Sequence, residues 1–148
     1  MRTFPAGVAV VCVDAEGERL GLTVGSLTTL SLEPPLVSAA ISRQAAMHEL
    51  LRAAGAFSAS LLAGDQARLA QHFARGVPPI ALWDGIDWHP APTGAPRLDG
   101  ALGWVECRVT AEHEAGDHTL FVGEATELEQ GRRAAGLVYV GREYVPVP

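Results

Sequence analysis

Residues 21–43, GLTVGSLTTLSLEPPLVSAAISR, decide how the rest of the chain is organised. The apolar segments 20–24 and 36–41 at its two ends are typical of strands. The serine- and threonine-rich middle has neither the alternation of a strand nor the spacing of a helix, so it predicts a loop between two β-strands. Its hydroxyl and N–H groups can bind the phosphate and polyol of a nucleotide-like ligand. The alternative is a Ser/Thr-rich turn that binds nothing.

The length and composition predict one domain, residues 1–148, with a hydrophobic core. The chain has 148 residues, of which 48% are hydrophobic, and it contains 16 glycines. This is typical of a folded, turn-rich domain rather than of a disordered chain. The net charge of −6, without a basic patch, argues against general binding to nucleic acid or to a membrane surface.

The two cysteines and the hydropathy pattern bear on the cellular location. Cys12 and Cys107 lie far apart in apolar, strand-like segments. We expect two buried thiols in a reducing compartment, with a disulfide as the alternative. We also expect no signal peptide and no membrane span, and therefore a cytoplasmic protein.

The remaining segments predict a mainly β protein, a closed or nearly closed antiparallel barrel with two short helices. Ser42 and Asp65 are the predicted N-caps of the helices, and Gly55 is expected to end the first one. Residues 75–97 are predicted to form an irregular surface loop that partly folds over another part of the protein. The predicted strands are residues 7–13, 19–24, 36–41, 57–62, 101–114, 118–127 and 137–145, and the first two are expected to form a hairpin.

Several kinds of catalytic or metal site are absent from the sequence. His113 and His118 flank a turn, but no carboxylate or cysteine completes a plausible ligand set around them. The chain has no dinucleotide-binding glycine fingerprint, no P-loop and no nucleophile elbow. We therefore expect no metal, and neither a Rossmann domain nor a P-loop enzyme.

Four motifs in the same order resemble those of the flavin reductase family. They are G-L-T-V-x-S-x-x-x-L-S-L-E-P-P-L-V from residue 21, F-P-A-G-V-A-V-V at residues 4–11, L-x-G-A-x-x-W-x-E-C at 98–107 and G-D-H-T-L-F-V-G-E at 116–124. The resemblance implies an FMN-binding split barrel, an antiparallel Greek-key β fold. It further implies hydride transfer from NADH or NADPH to FMN, with FAD as an alternative acceptor.

The same resemblance implies a homodimer with the flavin at the subunit interface, and a partner monooxygenase that receives the reduced flavin. Two other functions stay open at this stage. One is a flavoprotein that keeps its FMN bound and acts on another small substrate. The other is a flavin-binding module without enzymatic activity.

The resemblance also implies which residues bind the cofactor. Ser31 and Leu32 would lie beside the flavin ring, and Ser42 and Arg43 near the phosphate. The residues that would line the ring and the ribityl chain are Thr23, Val24, Gly25 and Ser26. Elementary physics supports the phosphate position, because Ser42 and Arg43 fall at the start of a predicted helix, where free N–H groups and the macrodipole attract anions. The alternative is a capping serine beside a solvated arginine.

His118 is the candidate catalytic residue. It matches the family histidine near the flavin and the nicotinamide, where it would assist hydride transfer without acting as a nucleophile. The alternative is a histidine that only stabilises the turn. The chain departs from the family at Gly25, where many relatives carry Asn, and at residues 76–80, so the polar contacts to the flavin and the substrate preference are open.

Overall fold

The main feature of the computed structural model, which describes residues 1–148, is a seven-stranded antiparallel sheet. In spatial order its strands are β3 (Glu18–Val24), β2 (Ala9–Ala15), β6 (Ala56–Leu61), β9 (Gly103–Ala115), β10 (His118–Gln130), β5 (Pro35–Ser42) and β4 (Thr28–Leu32). Only residues 25–27 join the two edge strands, β3 and β4. Four Cα–Cα steps reach at most ~15 Å. The edges therefore lie close together at that end, and the sheet forms a nearly closed barrel.

The core lies inside this barrel and beneath the helices. Strand β2 is buried along both faces from Ala9 to Val13, as its continuous apolar run predicts. Phe57, Phe121 and Ile41 are fully buried in the same core. The predicted hairpin is confirmed, because β2 pairs antiparallel with β3.

Helix α1 (Ala46–Ala54) ends at Gly55 as predicted, where a left-handed φ of 67° lets the glycine N–H bond to the carbonyl of Leu51. The predicted N-cap was wrong. Ser42 is still part of β5, as its last residue, because it pairs with His118 of β10. The residue that precedes the helix is Ala45, which has no capping side chain.

Helix α2 (Ala67–Ala74) follows Gln66 rather than the predicted cap Asp65. The carboxylate of Asp65 instead accepts a hydrogen bond from Arg132, which removes it from the helix terminus. The helix covers β3, and its Phe73 ring packs against Gly21. A Cβ at residue 21 would lie 2.7 Å from that ring, so only glycine allows this close packing.

Two strand predictions were also incomplete. Part of the predicted loop in residues 25–35 is the edge strand β4, whose side chains are largely exposed on both faces and so show no apolar alternation. The predicted strand 137–145 is two strands, β11 (Gly136–Val140) and β12 (Glu143–Val147). They turn at residues 141 and 142, both with positive φ, and form a small sheet with β1 (Ala6–Gly7).

Residues 75–97 pack against the barrel, and they are more ordered than the irregular surface loop that was predicted. They contain most of the hairpin of β7 (Trp88–Pro90) and β8 (Pro96–Leu98). The hydroxyl of Ser58 donates to the carbonyl of Pro96 at 2.6 Å, and the hydroxyl of Ser60 accepts from the N–H of Leu98 at 3.0 Å. The hairpin is therefore fixed to β6.

Both cysteines are buried free thiols, as predicted. Burial raises the pKa of Cys107 to about 12, with a further contribution from the charge of Glu106, and burial also raises the pKa of Cys12. The structure contains no group of three or more His, Cys, Asp or Glu side chains arranged to hold a metal ion. Neither helix has the length and apolar character needed to cross a membrane.

Candidate functional site

A cavity of about 370 Å³ opens where β3 ends beside β5 and the start of β10. We call it the inner cavity. It contains six of the nine residues that the sequence predicts as site residues. Its lining residues are Leu22, Thr23, Val24, Gly25, Ser26, Ala40, Ser42 and His118.

The hydroxyl groups of Thr23 and Ser26 hold the backbone of the inner cavity in place. Thr23 Oγ1 donates to the carbonyl of Ala70 in α2 at 2.6 Å. Ser26 Oγ donates to the carbonyl of Ala40 at 3.1 Å and accepts from the Ala40 N–H at 3.0 Å. Both hydroxyl protons are therefore engaged within the protein. A ligand would meet main-chain groups and oxygen lone pairs here.

Gly25 lies at a narrow point of the cavity wall. A Cβ added there would lie 3.2 Å from the Cβ of Ala6, so a larger side chain requires a small shift of its neighbour. Gly25 supplies no side-chain amide to the cavity. The backbone of residues 24–26 is thus the polar surface that this part of the cavity offers.

His118 occupies the first position of β10, opposite Ser42 of β5. Its side chain is 42% exposed, and its Nδ1 lies 2.7 Å from the carboxylate of Asp117. The pKa of Asp117 is lowered, first by this hydrogen bond and then by the charge of His118. Because Nδ1 is held by the carboxylate, Nε2 is the ring nitrogen that can contact a ligand in the cavity.

The helix start predicted at Ser42 and Arg43, which supported the phosphate prediction, lies farther along the chain. Helix α1 begins at Ala46, so its free N–H groups lie three residues beyond Arg43. Arg43 is exposed and forms no ion pair, and its N–H donates to the carbonyl of Asp117 at 2.9 Å. A second cavity, of about 350 Å³, adjoins the inner cavity at Leu22 and reaches residues 44–47.

Three predicted site residues do not line the inner cavity. They are Ser31, Leu32 and Arg43. Leu32 is 95% exposed on the edge strand β4, and Ser31 is half-buried beside it. Ser31 and Leu32 would therefore contact a ligand only where that ligand extends beyond the inner cavity.

The sequence prediction missed Leu22 and Ala40 as lining residues. Ala40 lies two positions before Ser42 on β5, so the two residues share one face of the strand. Knowledge that His118 pairs with Ser42 would have identified Ala40 as a neighbour of the cavity. The role of Ala40 in the cavity wall could not be inferred from its residue type, because an alanine side chain has no polar or titratable group.

The family model for the flavin reductase-like domain matches residues 1–148. The chain belongs to the flavin reductase-like family. An NADH-dependent FAD reductase of Streptomyces globisporus is 37% identical over 144 residues, covering 95% of this chain and 79% of that protein. The reductase component of the 4-hydroxyphenylacetate 3-monooxygenase of Thermus thermophilus is 39% identical over 142 residues, covering 95% of this chain and 88% of that protein.

A solved member of the family shares the whole fold. The crystal structure of the flavin reductase component of a bacterial two-component tryptophan halogenase superposes with a TM-score of 0.93. The sequences are 37% identical, and the match covers 99% of this chain and 93% of that one. The predicted split-barrel fold is confirmed.

Proposed function

We propose that this flavin reductase-like protein is an NAD(P)H:flavin oxidoreductase, which transfers hydride from NADH or NADPH to FMN, with FAD as an alternative acceptor. The observation that carries the proposal is the inner cavity, which places residues 23–26 beside His118 in a chain of this family. Such a reaction needs two rings held in contact and no protein nucleophile. The cavity, which has polar backbone groups and one histidine but no nucleophile arrangement, suits that chemistry.

The residues present fit a flavin mononucleotide. The polar backbone of residues 23–26 would hold the ring and the ribityl chain, and His118 would lie against the ring. The uncapped N-terminus of α1 and the unpaired guanidinium of Arg43 are suited to the phosphate. Once bound, the flavin supplies the hydride acceptor. We also propose that Ser31 and Leu32 approach the ring from the exposed edge of the barrel.

The experiment that tests the function measures NADH oxidation with and without added flavin. We expect fast turnover only when FMN, FAD or riboflavin is added, because the flavin is then a substrate that leaves. Turnover with another acceptor, by a protein that retains its FMN, would favour the bound-flavin enzyme. Flavin binding without any NADH or NADPH oxidation would favour the non-enzymatic module, and the proposed function would then be wrong.

The substitution Arg43→Ala is expected to weaken FMN binding about tenfold or more and riboflavin binding much less. The reason is that only FMN carries a phosphate, and a charge-assisted contact to a phosphate contributes roughly 1.5–3 kcal/mol. Fluorescence titration of each flavin measures the two dissociation constants. Arg133→Ala, which removes another exposed and unpaired arginine, is the matched control. Equal losses for FMN and riboflavin would remove Arg43 from the phosphate site.

We propose that the protein is a homodimer that places the flavin near the interface. Leu30, Leu32 and Leu128 are exposed apolar side chains, with Leu30 and Leu32 on the edge strand β4. Light scattering at micromolar concentration should give about twice the chain mass of 15.6 kDa. A monomer that still binds FMN tightly would contradict the interface model.

We further propose that residues 1–148 act as one flavin-binding domain in the cytoplasm, in keeping with two free thiols. Two of the relatives are reductase components, one of a monooxygenase and one of a halogenase. By analogy, the reduced flavin made here would be used by a separate oxygenase. Release of reduced FMN to such an enzyme requires the flavin to be a weakly held substrate.

A further inference from the structure

One buried histidine, His48, lies outside the inner cavity. It is the third residue of α1, and only 3% of it is exposed. Its Nε2 lies 2.7 Å from Oγ1 of Thr119, and its Nδ1 lies 2.9 Å from the carboxylate of Glu49. Its ring also packs edge-on against Phe121, with ring centroids 5.5 Å apart. Both ring nitrogens therefore have partners, and the orientation of the ring is fixed.

The partner at Nδ1 decides the direction of the bond at Nε2. The pKa of Glu49 is lowered, chiefly by its hydrogen bond with His48, and an ionised carboxylate only accepts hydrogen bonds. Nδ1 of His48 therefore carries the proton. In the neutral imidazole Nε2 is then an acceptor, and the hydroxyl of Thr119 donates to it. Thr119 is 1% exposed, so water cannot replace this bond.

Thr119 directly follows His118 at the start of β10. Thr119 pairs with Ile41 of β5, and His118 pairs with Ser42. Because successive side chains of a strand point to opposite faces, the side chain of Thr119 is buried in the core while His118 lines the inner cavity. The bond that holds Thr119 therefore also fixes the direction in which His118 points.

The same bond connects β10 to α1. A second link lies close by, since the N–H of Arg43 donates to the carbonyl of Asp117 at 2.9 Å. Together the two links join the start of α1 to the strand that carries His118. The N-terminus of α1 is the proposed phosphate site, and His118 is the residue proposed to lie against the flavin ring. The two links thus set the distance between the two ends of the proposed cofactor site.

We propose that His48 and Thr119 are positioning residues for hydride transfer, and that the hydrogen bond between them places His118 relative to the N-terminus of α1 and so to the flavin ring. This inference rests on the proposed function and deepens it. Neither residue lines the inner cavity, so neither contacts the flavin there. Loss of the bond leaves the residues that hold the flavin in place but releases His118, so the rate falls while the affinity for flavin is kept.

The first test replaces the hydroxyl of Thr119 by a methyl group of similar size. Thr119→Val should slow the single-turnover reduction of bound FMN by NADH about tenfold and change the dissociation constant of FMN less than about twofold. Thr119→Ser keeps a hydroxyl and should restore the rate. The control Thr126→Val, on the same strand, removes a hydroxyl that donates to the carbonyl of Glu106 at 3.2 Å and should change neither value. A wild-type rate in Thr119→Val would overturn the inference.

A double variant separates positioning from stability. Thr119→Val leaves Nε2 of His48 buried without a partner, so its urea midpoint should fall. His48→Leu combined with Thr119→Val puts an apolar pair in place of the polar one, and the midpoint should recover. We expect the rate of FMN reduction to stay about tenfold low in this stable double variant, because the directed bond is still absent. A rate that recovers together with the midpoint would show that the pair is merely structural.

Two further measurements test whether the pair acts through His118. In a His118→Ala background, Thr119→Val should cause no further loss of rate, whereas a second tenfold loss would overturn the inference. In NMR spectra without flavin or NADH, the ring signals of His118 should shift in Thr119→Val, and those of the distant His89 should not. Unshifted His118 signals would overturn the inference and leave flavin reduction intact. A wild-type protein that reduces no flavin would overturn the proposed function instead, and the NMR shift alone would then decide whether the pair positions His118.

Discussion

Replacement of His118 by alanine is expected to slow the reduction of bound FMN by NADH about 10-fold to 1000-fold, the range for loss of one positioning or electrostatic contact. The dissociation constant of FMN should change far less, because the phosphate and ribityl contacts are expected from residues 23–43. Single-turnover stopped-flow absorbance of bound FMN measures the rate, and an FMN titration of the same variant measures the affinity.

Two matched variants make the His118 result interpretable. His113→Ala removes an exposed histidine from the neighbouring strand β9, outside the inner cavity, and should leave the rate unchanged. Asp117→Asn weakens the hydrogen bond between residue 117 and Nδ1 of His118. We expect it to lower the rate of FMN reduction less than His118→Ala does. A wild-type rate for His118→Ala would make this residue a turn histidine. Collapse of FMN binding would make it a part of the cofactor pocket instead.

The second large effect is expected from Arg97→Met, which should destabilise the fold by about 3–5 kcal/mol. Arg97 is nearly fully buried in β8, and its guanidinium donates to Glu129 at 2.6 Å, to Glu127 at 2.9 Å and to Glu106 at 3.3 Å. Glu106 is also buried and accepts from the N–H of Thr93. Without the arginine, a buried carboxylate is left without its counter-charge. Urea denaturation followed by tryptophan fluorescence measures the free energy of unfolding.

The control for Arg97 is an exposed pair between β9 and β10, the two strands that carry the carboxylate partners of Arg97. Arg108 donates to Glu124 at 3.0 Å, and Arg108→Met should cost less than about 1 kcal/mol, since exposed ion pairs contribute little. The double variant Arg97→Met with Glu106→Gln should recover part of the loss, because the uncompensated charge is gone. Equal costs for Arg97→Met and Arg108→Met would show that the buried network does not fix the β7–β8 hairpin to the barrel.

The sequence predicted the barrel class, the β2–β3 hairpin and the end of α1 because each depends on local patterns. A continuous valine-rich run is buried on both faces of β2, and Gly55 supplies the left-handed conformation that ends α1. The family motifs also pointed to residues that the fold brings together, as Thr23 and His118 show, although 95 positions separate them in the chain.

The errors arose where tertiary pairing overrode local signals. Ser42 resembles an N-cap, but its pairing with His118 keeps it in β5, and α1 begins three residues after Arg43. Asp65 was expected to cap α2, yet Arg132 from a distant segment takes its carboxylate. The contact between the two ends of the chain had no local sequence signal, since it depends on the pairing of β1 with β11 and on the bond from the N–H of Gly141 to the carbonyl of Arg2.

A crystal structure of the protein with bound FMN tests the central claim most directly, namely that the inner cavity is the flavin site. The account predicts the flavin ring against the backbone of residues 23–26, His118 Nε2 facing the ring, and the phosphate between Arg43 and the N-terminus of α1. Flavin bound elsewhere would contradict it, for example in the separate apolar cavity lined by Leu61, Leu102 and Val138.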